Sequence, residues 1–339
     1  MSRAANRVIR TVYEMLAIYR VENNRVVRSE PRPGSPVPAD TVWMDLMNPT
    51  QAEVAAVERG LDIDVPTLDE MKEIEASSRL RVEEGVLMMT AMVLSQSESE
   101  RPLCSAITFV LSKAKLATIR YADPQPFRVF SARVQNRTGV YPHGEGILLG
   151  LLDSIIDRTA DILERIGDEV NALSSQVFGH GEEEPADGSR DLKALLRRVG
   201  HQGDLISKGR ESLVSIGRML AFLTQRVGST SHPEIRAHLD TLTHDATSLS
   251  DHATFLTNKV NFLLEATLGL INVEQNNIIK IFSVAAVAMM PPTLIASIYG
   301  MNFHFMPELD WPWAYPAIIV VMILSAVAPY IYFKRKGWL

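Results

Sequence analysis

Cysteine is almost missing from this 339-residue chain: Cys104 stands alone, so no disulfide can close within one copy and no thiolate cluster can hold zinc there. A Gly-x-x-x-x-Gly-Lys-Ser/Thr phosphate loop is missing too, which removes that route to nucleotide-driven work. There is no basic surplus, with 34 Lys and Arg against 40 Asp and Glu, and nucleic acid is therefore not expected as a partner. Residues 1–14 carry Arg3, Arg7 and Arg10 but no apolar core of the kind a secretory signal needs, so most of the chain is expected to stay in the cytosol. No nucleophile and base form a recognisable constellation, and the chain does not read as an enzyme.

The most informative absence is of charge. Ile281 to Phe303 is a run of 23 residues without a charged side chain, and Trp311 to Phe333 is a second of the same length. Each is long enough to cross a bilayer as one helix. The seven-residue connection His304 to Asp310 holds Glu308 and Asp310 but no Lys or Arg, whereas Lys280 precedes the first run and Lys334, Arg335 and Lys336 follow the second. Positive charge marks the cytoplasmic side, so both termini are expected inside and the acidic loop outside. Neither run contains a carboxylate, which leaves no intramembrane acid for proton exchange.

Ahead of the spans the pattern is mixed. Thr11 to Val21 and Val26 to Arg28 read as strands about a turn, Val42 to Leu46 as another, and Arg79 to Leu94 and Ala106 to Tyr121 as a sheet with hairpins. Thr50 with Glu53 predicts a capped helix over 51–59, and Pro66 opens a second one reaching Glu75. From Gly146 the period changes to steps of three and four, with Ile147, Leu148, Leu151, Leu152, Ile155, Ile156, Ile162, Leu163, Ile166 and Val170 on one face, and this helix ends near Gly179. A further helix covers 190–226. A last one starts at Pro233 and has no stop before Tyr299, ~65 residues or roughly 100 Å at 1.5 Å per residue. Such a rod needs neighbours, from its own chain and from other copies. The fold class is α+β with a membrane part, laid out as a cytosolic α/β domain (1–145), a helical stalk (146–277), a first transmembrane helix (278–303), an extracytoplasmic loop (304–310), a second transmembrane helix (311–333) and a basic tail (334–339).

Tyr299-Gly300-Met301-Asn302, then Met306-Pro307-Glu308-Leu309, Trp313-Ala314-Tyr315-Pro316 and the basic ending Lys334-Arg335-Lys336-Gly337-Trp338-Leu339 together resemble the CorA family of divalent-cation channels. The close likeness covers about residues 276–339, and the remainder agrees in length, element order and charge pattern. The resemblance implies a homopentameric funnel in the inner (cytoplasmic) membrane that admits Mg²⁺, with Co²⁺ or Ni²⁺ as further ions. It also implies that Asn302 selects the ion, that Gly300 and Met301 shape the turn presenting it, and that Asn276, Ile279, Phe282, Met290 and Thr293 match pore positions. The Phe at 282 replaces a usually aliphatic gate residue, and only the first of Pro291 and Pro292 belongs to the family pattern.

The residues support that reading independently. Two helices cannot enclose a water-filled path, so a pore needs several chains. Asn276, Ile279, Ser283, Ala286, Met290, Thr293 and Ser297 follow steps of three and four, a stripe that would line such a path or equally pack helices in lipid. Mg²⁺ gives up its waters reluctantly, so a ring of Asn302 amides facing the hydrated ion suits it better than carboxylates would. Asn302 as a simple helix cap is the alternative. Glu308 and Asp310 would concentrate cations at the entrance. The family implies a brake of acidic residues bridging subunits; here Asp69 and Glu70 resemble one side, while on the stalk the matching position falls at Thr241, beside Asp240 and Asp245, and each of these acids also suits a solvated surface. His238, Asp245 and His252 lie seven apart, too far along one helix to share one zinc ion. A zinc-transporting member of the family and a non-conducting membrane-anchored scaffold are the competing functions. No organic cofactor is expected.

Overall fold

A computed structural model gives the structure of residues 15–337, apart from 24, 32–34, 62, 74, 100, 137–140, 142, 180–190, 228–231 and 302–305. The chain falls into two compact units, Met1–Leu264 and Glu265–Leu339.

The first unit opens with β1 (Met15–Glu22), β2 (Arg25–Ser29) and β3 (Thr41–Met47), then short helices α1 (Gln51–Leu61), α2 (Leu68–Lys72) and α3 (Ala76–Arg79). Strands β4 (Leu80–Glu83), β5 (Val86–Ser95), β6 (Leu103–Ser112) and β7 (Lys115–Arg120) follow, and then α4 (Gln125–Asn136). All seven strands make one sheet in the order β2-β1-β3-β7-β6-β5-β4. Every pairing is antiparallel except β3 with β7, which is parallel. The hairpin between β4 and β5 turns through Glu84 and Gly85, both at positive φ, a turn whose twist matches that of the strands. Residues 112–115 form the hairpin expected between β6 and β7, with Ser112 opposite Lys115.

Because side chains alternate across a strand, the sheet has two apolar faces and each is covered. On one, Leu16, Ile18, Met44, Leu46, Val110 and Ile119 pack with Val57 and Leu61 of α1 and Met71 of α2. On the other, Tyr19, Trp43, Met89, Phe109 and Leu116 meet Phe127, Phe130 and Val134 of α4 together with residues of the long helices. The sequence pattern predicts α1 but ends it at residue 59, carries α2 on to Glu75, and offers no helix at α4. In α2 the capping box closes at Thr67, one residue after Pro66, and the helix ends at Lys72. The α4 signal is present in Phe127, Phe130 and Val134 at steps of three and four, but the flanking Asp123, Pro124 and Pro126 look like loop punctuation.

A buried polar relay crosses the parallel junction. The indole N–H of Trp43 donates to Thr118 Oγ1 at 3.0 Å, Thr118 Oγ1 donates to Asp45 Oδ1 at 2.8 Å, and Arg120 donates to the same carboxylate from Nε at 3.0 Å and Nη2 at 2.9 Å. Arg120 Nη1 also reaches Asp123 Oδ1 at 2.8 Å, and its guanidinium lies over the Phe127 ring at 4.9 Å. Trp43 in turn stacks on Tyr19 with centroids 4.1 Å apart. Asp45 and Arg120 are both buried, so each is tolerable only because the other is there.

Three long helices complete the unit: α5 (Gly144–Phe178), α6 (Leu192–Val227) and the first part of α7 (Pro233–Tyr299). All ten apolar residues of the predicted α5 face are buried, and α5 ends at Gly179 in the left-handed region. Its start is pinned to the sheet: Gly144 N–H donates to Ala114 O at 2.6 Å, and a Cβ at 144 would sit 2.6 Å from the backbone of Lys115 and Leu116. The four glycines of α6 do not interrupt it. In the second unit α7 continues to Tyr299, a 3₁₀ turn covers Pro307–Asp310, and α8 runs Ala314–Arg335. The tract from Trp311 to Trp313, counted within the second span in the sequence, precedes this helix.

Two outcomes follow from this packing. Arg120→Leu leaves Asp45 charged, buried and unpaired, and is expected to cost about 3–5 kcal/mol of stability, read as a lowered thermal unfolding midpoint; Arg128→Leu on the exposed side of α4 is the control. Burial, reinforced by Glu211 and only partly offset by Lys208, pushes the Cys104 thiol up to about 12. Maleimide labelling of the folded chain is therefore expected to be about a thousandfold slower than that of a free thiol, and to recover on denaturation.

Candidate ion pathway and metal-sensing acids

The apolar half of α7 is a helix with one face set apart. At about 100° per residue, Asn276, Ile279, Ser283, Ala286, Thr293 and Ser297 all fall within roughly 60° of Met290. The structure leaves this stripe open to the surroundings, with Ile279 61% and Met290 67% exposed. Phe282, at the edge of the stripe, is 71% exposed. The less exposed residues of the same segment, Val284, Ala288, Pro292, Ile295 and Tyr299, lie on the opposite side. On α8 the more covered positions Ala314, Ile318, Met322, Ser325, Ala326 and Pro329 likewise form one narrow stripe. Each helix thus has a single shielded face, and on α7 it is not the face that carries the polar residues.

Two of the hydroxyls on the open face, those of Thr293 and Ser297, are already committed as donors. Thr293 Oγ1 donates to Met289 O at 2.7 Å and Ser297 Oγ donates to Thr293 O at 2.8 Å. What they turn outward is lone pairs, the complement of a cation's water shell. Pro291 and Pro292 sit inside the unbroken helix and supply no N–H, so the hydrogen-bond ladder thins at this level.

At the end of α7, Gly300 N–H donates to Ala296 O at 2.9 Å and Met301 N–H to Ile298 O at 3.3 Å. A Cβ on Gly300 would meet Ala296 O at 3.1 Å, tighter than ordinary contact, which is a physical reason for glycine where the chain leaves the helix. Asn302 lies outside the described residues. Of the entrance acids, Asp310 ends the 3₁₀ turn and is exposed, and Glu308 is within that turn. Aromatic side chains mark both ends of the second span, a signal the charge-free run alone does not carry. Trp311, Trp313 and Tyr315 at one end of α8 and Tyr330 and Tyr332 at the other are exposed, the placement of aromatic belts at both surfaces of a bilayer. By length and composition α7 and α8 both suffice to cross a membrane.

The predicted sensing acids are scattered in one copy. Glu70 is taken up by α2 itself: Thr67 N–H and Oγ1–H donate to its Oε2 at 2.7 and 2.9 Å, and these bonds hold its carboxyl below the usual range. Asp69 is exposed and 3.7 Å from Lys72. Asp240 and Asp245 are exposed on α7. His238 approaches Asp153 at 4.0 Å and His252 stacks against Phe255, so neither joins Asp245 in a shared site. Among the described residues no group of three His, Cys, Asp or Glu side chains is placed to hold a metal ion. A further acid with a displaced carboxyl, one the sequence pattern did not single out, is Asp157 on α5. Its carboxyl is pushed above the usual range by burial first, then by Asp153, with Asp161 and Asp245 adding to this and Arg133 opposing. Spacing by four along α5 was the available signal.

The sequence matches the family described as CorA-like Mg²⁺ transporter protein over residues 38–335. It is 37% identical over 327 residues to the magnesium transport protein CorA of Yersinia pseudotuberculosis, covering 96% of this chain and 100% of that protein. It is 35% identical over 325 residues to the magnesium transport protein CorA of Escherichia coli K12, with the same coverage. The structure is similar to the complete CorA magnesium transporter of Methanocaldococcus jannaschii, with a TM-score of 0.68 at 20% identity over 97% of this chain and 99% of that one. With a mixed sheet between helical layers, a 67-residue helix followed at once by the Gly-Met-Asn triplet and a second apolar helix behind it, this chain belongs to the CorA-like Mg²⁺ transporter family.

Proposed function

We propose that the chain carries Mg²⁺ into the cell as a homopentamer, with the open face of α7 forming the wall of a central path. The observation that carries this reading is the placement of the polar stripe on the side of α7 away from its shielded face, where only neighbouring copies can enclose it. Asn302 would form a ring at the outer mouth, meeting the ion through its retained waters, and Glu308 and Asp310 would raise the local cation concentration. Met290 and Ile279 would be the dewetting constrictions, with Phe282 narrowing the inner one. At ~100 mV, inside negative, a divalent ion gains about 4.6 kcal/mol, enough for accumulation on the order of a thousandfold without a coupling device. Co²⁺ and Ni²⁺ follow the same route in this reading, and both termini lie in the cytosol.

Such a driving force calls for a brake. Carboxylates that repel one another when ionised are the elements a cytosolic divalent ion would bind between copies. Asp157, whose carboxyl is raised first by burial and then by Asp153, Asp161 and Asp245 against an opposing Arg133, is the acid we add to Asp69, Glu70, Asp240 and Asp245 as elements of that brake.

Reconstituted in liposomes with an inside-negative potential, the wild type is expected to admit Mg²⁺ and to exclude Zn²⁺. Asn302→Ala is expected to reduce Mg²⁺ entry at least about tenfold, ~1.4 kcal/mol of lost barrier lowering. Unchanged entry in the variant removes Asn302 as the selecting group, and Zn²⁺ entry in place of Mg²⁺ makes the chain a zinc carrier. The brake has its own readout. A carboxyl raised on folding costs stability once the pH exceeds its folded pKa, and that cost fades as the pH falls toward the ordinary carboxylate range. Asp157→Asn should therefore raise the thermal midpoint at pH 7 and leave it unchanged below the carboxylate range, and added Mg²⁺ should stabilise the wild type more than the variant. Equal stabilisation of the two would take Asp157 out of the brake.

A further inference from the structure

The single parallel junction of the sheet is also where the chain divides. After β3 it turns to α1, whose Val57 and Leu61 pack on one face; after β7 it turns to α4, whose Phe127 and Phe130 pack on the other. The parting is visible at Asn48, at a φ of 47°, whose N–H donates to Arg120 O at 2.9 Å just as the two strands end together at Met47 and Arg120. Adjacent parallel strands with connections to opposite faces leave a crevice beyond their carboxyl ends, and open α/β sheets bind ligands in that crevice.

Beside this junction, on the α4 face and reaching over β1 and β2, lies a cavity with polar walls. Its volume is about 370 Å³, and it opens between the sheet and α4. That is room for roughly ten waters at ~30 Å³ each and lies at the lower end of small-molecule sites. Three guanidinium groups line it, from Arg28, Arg120 and Arg128, against two carboxylates, Asp45 and Asp123. Arg120 is buried and locked by both carboxylates, and the Tyr19 hydroxyl at the wall is held by Ser131 at 2.7 Å. The other two arginines are at the rim. Arg28 meets Glu30 at 3.0 Å and Arg128 approaches Asp123 at 3.5 Å. Exposed pairs of this kind contribute at most about 1 kcal/mol, so an incoming dianion can displace them.

We propose that this cavity binds a small organic phosphate of about nucleoside monophosphate size, with Arg28 and Arg128 closing on its phosphate group, while Arg120, already neutralised by Asp45 and Asp123, holds the wall in place. Guanidinium forks match phosphate oxygens in paired hydrogen bonds, which is what two mobile arginines at the mouth of a preformed site provide. The ion pathway uses none of these residues, so the site adds a metabolite input to the soluble unit and stands or falls independently of Mg²⁺ flux.

Isothermal titration of the full-length protein in detergent with AMP, inorganic phosphate and adenosine tests this. The expected result is saturable AMP binding with Kd below about 1 mM, no adenosine binding, and at least a tenfold loss of affinity in Arg28→Gln/Arg128→Gln. Should the double variant misfold, as judged by circular dichroism, Arg128→Gln alone is used, since its side chain is 66% exposed. Phosphate binding as tightly as AMP also supports the site and makes free phosphate its ligand. Absence of binding by AMP and phosphate at about ten times that concentration, adenosine binding as well as AMP, or undiminished AMP binding in the variant overturns the proposal.

Discussion

In hydrocarbon a peptide N–H or C=O without a partner costs several kcal/mol, and α7 shows how the chain lives with that constraint. Its apolar half is one continuous helix, so nearly every backbone group is satisfied locally. The exceptions come at Pro291 and Pro292, and the hydroxyls of Thr293 and Ser297 fold back onto helix carbonyls in the turns around them. A helix with its polar residues on one side and an apolar shielded side on the other suits a packed helix interface in lipid or, in the reading proposed above, a water-filled path bounded by several copies.

The soluble unit is governed by the same accounting in a different solvent. Asp45 and Arg120 are buried at the parallel junction because Thr118, Ala122 and Asp123 complete their hydrogen bonds, with the Trp43 indole N–H holding Thr118 in turn. That relay fixes the strand ends, and the fixed ends in turn hold open the crevice beside α4. Next to this rigid point lies a cavity lined by the buried Asp45 and Arg120 and by the more exposed Arg28 and Arg128. The acids of α5 are the opposite case: Asp153, Asp157 and Asp161 repeat every four residues on a single helix face, so their repulsion is built in, and Arg133 only partly offsets it at Asp157.

Much of this was open to inspection in the sequence because it depends on local order. Charge-free runs of 23 residues, the three-and-four spacing of Ile147 to Val170, the Thr50 and Glu53 box and the hairpin at 112–115 each obey a rule that needs no knowledge of distant residues. Where the reading missed a helix, two local signals disagreed. At α4 the prolines and Asp123 marked a loop while Phe127, Phe130 and Val134 marked a helix, and burial against Trp43 and Tyr141 decided for the helix. Glu70, matched to a metal-binding position by its place in the chain, is engaged as the N3 partner of a capping box, a role its spacing from Thr67 also allowed.

The sequence by itself determined the class of the molecule and its order of elements: which stretches suit lipid, which suit a two-sided sheet, and which side carries positive charge. Hydropathy and periodicity are sums over neighbouring residues, and such sums survive without a fold. Tertiary structure alone decided that α1 and α4 leave the sheet on opposite faces, that three arginines far apart in the chain line one cavity, and that the polar stripe of α7 lies away from its shielded side. Those are facts of placement between residues distant in the chain, and only packing brings them together.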